Sequence, residues 1–282
     1  MTLPSSPPIS LKELKTEFGG GTVIGLRQYL SGGSFVSANV QNGSGFLIPS
    51  SGTISLNDFL GAANNLPTRF YQSGSGTETV PTGALFCTIE AWGGGGGGGQ
   101  GDAFSNPSCG GGGAGGYVLS VRLPVTAAQT FSYSVGSGGA AIAFSGADGT
   151  NGNPGANTSI THTGMTTIQA GGGLGGHSSP VAGNGNGGAG GGATGGTTLN
   201  QAGNTGSTGS GGTLGAGATA NSGLLGTGGG YGTGGHASTI GSTYSGSGPG
   251  GAGAGAGNSS SSYEFSSGAG ASGGARFIYY AS

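Results

Sequence analysis

Few residues in this chain are able to do chemistry. His162, His177 and His236 stand far apart, and none has a second His, Cys or carboxylate at the spacing of a metal site. All three read as polar loop histidines. Beyond residue 102 the only carboxylates are Asp148 and Glu264, so a glycosidase-type acid/base pair would have to be drawn from those two. Glu90 and Asp102, with Arg122, read as a local ion pair or a cap on the strands around them. A phosphate-cradling loop needs Gly-Lys-Ser/Thr, and the last lysine is Lys15. Matches to G-x-G-x-x-G abound, as do Asn-x-Ser/Thr triplets at Asn42, Asn157 and Asn258, but chance supplies both in so glycine-rich and polar a chain. The expectation is a protein that is not an enzyme and carries no cofactor and no metal.

What must position these residues is unusual. Glycine supplies 76 of 282 residues, roughly four times the ordinary share. Charged residues make up only 5%, and after Arg122 the sole ones are Asp148, Glu264 and Arg276. Neutralising phosphates takes many Lys and Arg, and six in all argue against a nucleic-acid partner. No stretch of about 18 apolar residues is present, and the opening MTLPSSPPIS has no basic segment followed by an apolar run, so neither membrane insertion nor a secretion signal is expected. A single large hydrophobic core is equally unexpected, because apolar residues amount to 32% and many of them are alanine.

Residues 1–66 read as an N-terminal module built on a repeated phrase. Ile9-Ser10-Leu11-Lys12-Glu13-Leu14 is echoed by Ile54-Ser55-Leu56-Asn57-Asp58-Phe59 and, more faintly, by Ile24-Gly25-Leu26-Arg27-Gln28-Tyr29. Ser10 and Ser55 suit helix N-caps, and Glu13 or Asp58 three residues on can return a hydrogen bond to the cap. Ile9 and Ile54 precede the caps and can staple onto Leu14 and Phe59, while Gly19 and Gly61 can end the helices. Three helix starts explain the chemistry; the near-identical wording suggests a reused docking unit made of Ile9, Leu11, Leu14, Ile54, Leu56 and Phe59.

Residues 67–282 read as a glycine-rich domain. Strand signals lie at about 78–92, 117–135 and 275–281, where apolar residues alternate with small or polar ones. That placement implies a small β-sandwich whose first and last strands meet, with the glycine-rich body, 93–116 and 136–274, inserted between them. Tracts recur near 93–99, 110–116, 171–176, 183–196, 209–217, 226–235, 246–257 and 268–274. Ordering glycine costs about 0.5–1 kcal/mol more per residue than ordering alanine, and side chains cannot offset that here. Backbone pairing can: a polyglycine II strand rises about 3.1 Å per residue, turns every three, and points its N–H and C=O groups outward. At about 0.5–1.5 kcal/mol net per bond, a bundle of tracts holds where a lone tract does not. Each tract would span about 20–40 Å, with alternate loops at opposite ends. The fold class is thus mainly β and irregular, a small β-sandwich with an inserted polyglycine II-type bundle, preceded by a small module with short helices. A flexible linker is the other reading of such composition; short, regularly interrupted tracts flanked by strands favour the bundle.

The wording of these segments carries a family likeness. Thr79-Val80-Pro81-Thr82-Gly83, then Cys87-Thr88-Ile89-Glu90-Ala91-Trp92 and a polyglycine run, resembles the opening of the glycine-rich domain of bacteriophage tail proteins. YVLSVRLPVTAAQTFSYSVGSGG resembles its middle and Gly273-Gly274-Ala275-Arg276-Phe277-Ile278-Tyr279-Tyr280 its closing strand, while IPSSGTISLNDFLGA resembles a short module at the start of phage virion proteins. Together these cover nearly the whole chain. The resemblance implies a virion location, assembly in the bacterial cytoplasm, a homotrimer, neighbours among tail or baseplate proteins, and host-surface binding by loops to a glycan or an outer-membrane protein. The related tip adhesins ride on a separate fibre, whereas this chain brings its own N-terminal module. Loop aromatics Tyr231, Tyr244, Tyr263 and Phe265 are the host-contact candidates, plugging the bundle's edges being their other role. In such a compartment Cys87 and Cys109 read as two reduced thiols, although the pair is able to bridge.

Overall fold

A computed structural model describes residues 3, 10–19, 26–30, 35–36, 48–59, 66–100, 108–143, 149–178, 184–210, 215–221, 245–250 and 266–280. The first copy of the repeated phrase forms α1, Leu11–Phe18. Its capping box is complete: the Glu13 N–H donates to Ser10 Oγ at 3.2 Å, and the Ser10 N–H donates to the Glu13 carboxylate at 2.7 Å. Gly19, at φ 80°, stops the helix and returns its N–H to Lys15 O. The other two copies are shorter than a helix. Leu26–Tyr29 and Leu56–Phe59 are four-residue 3-10 turns, and in the latter Asp58 receives the Ser55 N–H at 2.7 Å, which is half of the box. Gly61 lies outside the described residues.

These pieces share a small core of their own. Leu14, Phe18, Tyr29, Ile48, Ile54 and Phe59 are buried together with Leu3 and Val36, and Phe18 meets Phe59 edge-on at 5.9 Å. The Tyr29 hydroxyl donates to Gly19 O at 2.9 Å, tying the second copy to the end of the first. Among the described residues no helix is long and apolar enough to cross a membrane.

The domain that follows is mainly β. Its strands are β1 (Thr68–Tyr71), β2 (Ser75–Thr79), β3 (Phe86–Trp92), β4 (Tyr117–Pro124), β5 (Thr130–Ser134), β6 (Thr158–Thr161), β7 (Ile168–Ala170), β8 (Ala193–Thr194), β9 (Leu199–Gln201) and β10 (Gly274–Tyr280). They make two five-stranded antiparallel sheets, ordered β1-β10-β3-β4-β9 and β2-β5-β6-β7-β8. The first and last strands do meet, with Thr68 opposite Ile278 and Tyr71 opposite Ala275. Between the sheets, Cys87, Ile89, Val118, Phe277 and Tyr279 pack against Phe131, Ile160 and Ile168. Two of the three expected strand regions divide at turns, into β2 with β3 and β4 with β5, and the third is β10. The short strands β1 and β6–β9 come from stretches in which Thr, Ser, Asn and Gln leave little apolar alternation to detect.

Between strands the chain runs into the bundle, and its hydrogen bonds repeat every three residues. Gly93, Gly96 and Gly99 donate to Gly116, Gly113 and Gly110 at 3.0, 2.8 and 3.0 Å. Gly94, Gly97 and Gln100 donate to Ala156, Asn153 and Thr150 at 2.9, 2.8 and 2.8 Å. Gly95 and Gly98 donate to Ala271 and Gly268 at 2.9 and 3.0 Å. One strand with a three-fold screw thus bonds three neighbours in turn, as the polyglycine II geometry requires. The return tract 108–116 is as central: Gly110, Gly113 and Gly116 donate to His177, Leu174 and Gly171, while Gly111 and Ala114 donate to Ser207 and Asn204. Its carbonyls also accept from Gly188, Gly191, Gly215 and Ala218. Both central tracts, 93–100 and 108–116, are buried throughout.

The described tracts are 93–100, 108–116, 136–143, 149–157, 171–178, 184–192, 202–210, 215–221, 245–250 and 266–273. Tracts 136–143 and 149–157 have no counterpart in the list expected from composition, and 202–210 overlaps only the start of the expected 209–217. Each peripheral tract places glycine mainly where it faces a neighbour. In 184–192, Gly185, Gly188 and Gly191 are buried while Asn186 and Ala189 are exposed. The expected tract 226–235 lies outside the described residues, as does 251–257.

Candidate functional site

Strand direction decides which end of the bundle is presented. β3 ends at Trp92 and the chain leaves the sandwich along 93–100; it returns along 108–116 into β4. The same excursion follows β5, β7 and β9, so Gln100, Ala143, Ser178 and Ser210 all stop at the end remote from the sandwich, and Ser108, Gly149, Asn184 and Gly215 start from it. Eight residues at about 3.1 Å each put that end about 25 Å from the strands.

Among the described residues the remote end is cross-bonded in its backbone and neutral in its side chains. Gln100 and Thr150 exchange both backbone hydrogen bonds at 2.8 and 2.9 Å, and the His177 N–H donates to Asn186 O at 2.9 Å. Asn151 Oδ1 accepts from the Ser178 N–H at 2.9 Å. Thr150, Asn151, His177, Asn184 and Asn186 are exposed there. Such groups give and take neutral hydrogen bonds on a fixed scaffold, which suits recognition of a hydroxyl-rich or peptide surface.

Two polar clusters support the scaffold. On the outer face of the first sheet, Glu90 is fully buried and forms an ion pair with Arg276. The Arg276 Nε–H donates to Glu90 Oε2 at 2.6 Å, the Tyr117 hydroxyl donates to Oε1 at 2.6 Å, and Arg276 lies over the Trp92 ring at 5.3 Å. The Trp92 indole N–H donates to Asn221 O at 3.0 Å, joining this face to the tract 215–221. Between the sheets, Glu78 accepts hydroxyl hydrogen bonds from Tyr71 at 2.5 Å and Tyr279 at 3.0 Å. Burial first, then hydrogen bonding and charge from Glu78, push the Tyr71 hydroxyl up to about 12. Burial pushes the Cys87 thiol up to about 12 and raises Tyr279 in the same direction.

The structure redistributes the residues singled out from the sequence. Glu90 pairs with Arg276 and not with Arg122, because β10 lies between β3 and β1 and brings residue 276 opposite residue 90. Arg122 instead lies over Phe86, and Asp102 is outside the described residues. His162 Nδ1 sits 2.8 Å from Thr130 O, His177 is exposed at the remote end, and His236, Asp148 and Glu264 are outside the described residues. Cys87 is walled into the sandwich and Cys109 into the bundle, with no disulfide between them. Of the six module residues, Leu14, Ile54 and Phe59 form its own core, Leu56 packs against that core, Leu11 is 46% exposed, and Ile9 is outside the described residues. Among the described members Leu11 is therefore the one open to a partner. The aromatics Tyr231, Tyr244, Tyr263 and Phe265 all fall outside the described residues.

A protein-family model described as a glycine-rich domain matches residues 71–280. Its limits coincide with the end of β1 and the end of β10, so it takes in the described bundle and nine of the ten strands, β1 entering only by Tyr71. No curated protein matches the chain.

Proposed function

The chain belongs to the glycine-rich domain family, and from that premise we propose that it is a bacteriophage virion protein that binds rather than catalyses, a tail fibre or tail-tip adhesin. The observation that carries this reading is the three-neighbour bonding of 93–100, in which successive amides reach 108–116, 149–157 and 266–273. Cross-bonding of that kind turns glycine, otherwise the most flexible residue, into a stiff and uncharged spacer. A spacer that carries polar residues about 25 Å from its sandwich suits contact with a host-surface glycan or an outer-membrane protein. The resemblance of residues 1–66 to a virion-start module supplies attachment to tail or baseplate neighbours, and the same likeness suggests a homotrimer.

Two measurements test the reading. Mass spectrometry of purified particles should find the chain; its absence removes the virion role. Purified protein should compete with phage for adsorption to susceptible cells. Presence in particles without competition would favour the second reading, a purely architectural head fibre, collar or decoration protein. The neutral, aromatic-poor remote end among the described residues is the observation that keeps this second reading in play.

A further inference from the structure

At the end of the sandwich away from the bundle, one backbone conformation runs against its residue type. Cys87 pairs with Leu123 and Ile89 with Ser120, so Val121 and Arg122 share Thr88 across a β-bulge. Arg122 takes the left-handed conformation there, at φ 51°. Glycine occupies that position of a bulge without steric cost, whereas arginine is strained in it. Strain of this kind persists where the surroundings enforce it, and it directs attention to what the side chain is held for.

The surroundings are specific. The Arg122 N–H donates to Thr88 Oγ1 at 3.2 Å, fixing the bulge. The guanidinium lies over the Phe86 ring at 4.5 Å and near the Tyr280 ring at 5.9 Å. Arg122 is nonetheless exposed, and among the described residues no carboxylate and no hydrogen-bond acceptor engages its guanidinium. Leu85, the residue before Phe86, is 54% exposed, and its N–H donates to Tyr280 O at 2.8 Å. β9 pairs with β4 only as far as Leu119, so the flank of Arg122, Leu123 and Pro124 has no strand partner on that side among the described residues.

We propose that this corner is a docking site for an acidic segment of a partner protein. Arg122 takes one carboxylate of that segment in a two-point hydrogen bond, and Leu85 takes an apolar neighbour. A guanidinium resting on an aromatic ring has its orientation settled in advance, which lowers the cost of forming the fork-to-carboxylate bond. Arginine beside Tyr, Phe and an exposed aliphatic is the composition of an interface centre, and the open strand flank favours an extended peptide over a sugar. The inference stands on the geometry of the corner and holds whether or not the chain is a virion part.

The test uses the full chain and defined probes, followed by NMR at the Arg122 side-chain N–H and the Leu85 methyls. The probes are a blocked Leu-Glu-Leu tripeptide, its Leu-Gln-Leu twin and glucuronate, at matched ionic strength. The glutamate peptide should shift both signals saturably, with the glutamine peptide about tenfold weaker or more. Equal response to both peptides, or preferential binding of glucuronate, overturns the proposal. Arg122→Lys should weaken binding about tenfold, since the charge stays and the fork is lost. Arg122→Gly should abolish binding while Tm holds or rises, because the strain is relieved. A fall in Tm in that variant would mean that the stacked arginine serves the sandwich, and the proposal fails.

Discussion

The carbonyl oxygen of Gly96 lies 2.2 Å from the point where a Cβ on Gly112 would sit. No rotamer change relieves that clash, because the atom in the way is backbone and is flanked by Gly97 O at 2.8 Å. Gly112→Ala is therefore expected to force the two central tracts apart and to cost at least about 1–3 kcal/mol. Gly192→Ala is the matched control: nothing lies within 4 Å of its added methyl. It should leave stability within about 0.5 kcal/mol or raise it slightly by restricting the unfolded chain. Urea unfolding of both variants checks the pair, and equal effects would mean that close backbone approach does not organise the bundle.

The buried pair between Glu90 and Arg276 predicts an asymmetry between single and double substitution. Glu90→Leu leaves a guanidinium buried beside Trp92 without its counter-charge, and Arg276→Met does the same to the carboxylate. Each should cost about 3–5 kcal/mol. The double variant Glu90→Leu with Arg276→Met removes both charges and should cost clearly less than the sum of the singles. Additive losses in a double-mutant cycle would show that the two do not act as a pair.

How far the sequence disclosed this arrangement depends on what kind of signal each part emits. β3, β4 and β10 carry runs such as Phe277-Ile278-Tyr279-Tyr280 and were expected close to where they lie. β8 is two residues long, and β9 is exposed at all three of its positions, so neither emits a pattern. The densest glycine marks the central tracts, and interrupted runs also mark 171–178, 184–192 and 266–273. In 149–157 and 202–210 glycine recurs only at every third residue, as Gly149, Gly152 and Gly155 and as Gly203, Gly206 and Gly209, in sequences otherwise typical of loops. The partner of Glu90 was out of reach, since alternation shows that residues 90 and 276 each face out of a sheet but not that their strands are neighbours. The left-handed turn at Arg122 emitted no signal, because a bulge is a property of register.

Among the described residues of the N-terminal module, burial separates those that fold it from Leu11, which is open to a partner. Phe59→Ala removes a ring packed against Phe18 and Tyr29 and should cost the module about 3–5 kcal/mol. Leu11→Ala deletes a half-exposed side chain and should change stability by less than about 0.5 kcal/mol. If the module attaches the chain to a particle, Leu11→Ala should lower its incorporation while amide exchange in the module stays unchanged. Normal incorporation of that variant would remove Leu11 from the attachment surface.

Alkali should unfold the domain from within the sandwich. Burial lifts the Cys87 thiol from 9.0 to about 12, and burial together with Glu78 lifts the Tyr71 hydroxyl from 10.0 to about 12. In both groups the folded value lies above the unfolded one, so the folded state keeps protons that the unfolded chain has already released. Their contribution is intact below pH 9.0 and is lost as pH rises towards about 12. At about 1.36 kcal/mol per unit, the thiol alone accounts for up to about 4 kcal/mol of that loss. The share of the tyrosinate absorbance that comes from Tyr71 and Tyr279 should accordingly appear together with loss of the β-sheet circular dichroism signal, instead of preceding it. Cys87→Ala should start from a lower stability at neutral pH, yet lose less between neutral and strongly alkaline solution. An alkaline loss as large in Cys87→Ala as in the parent would mean that the buried thiol does not govern the transition.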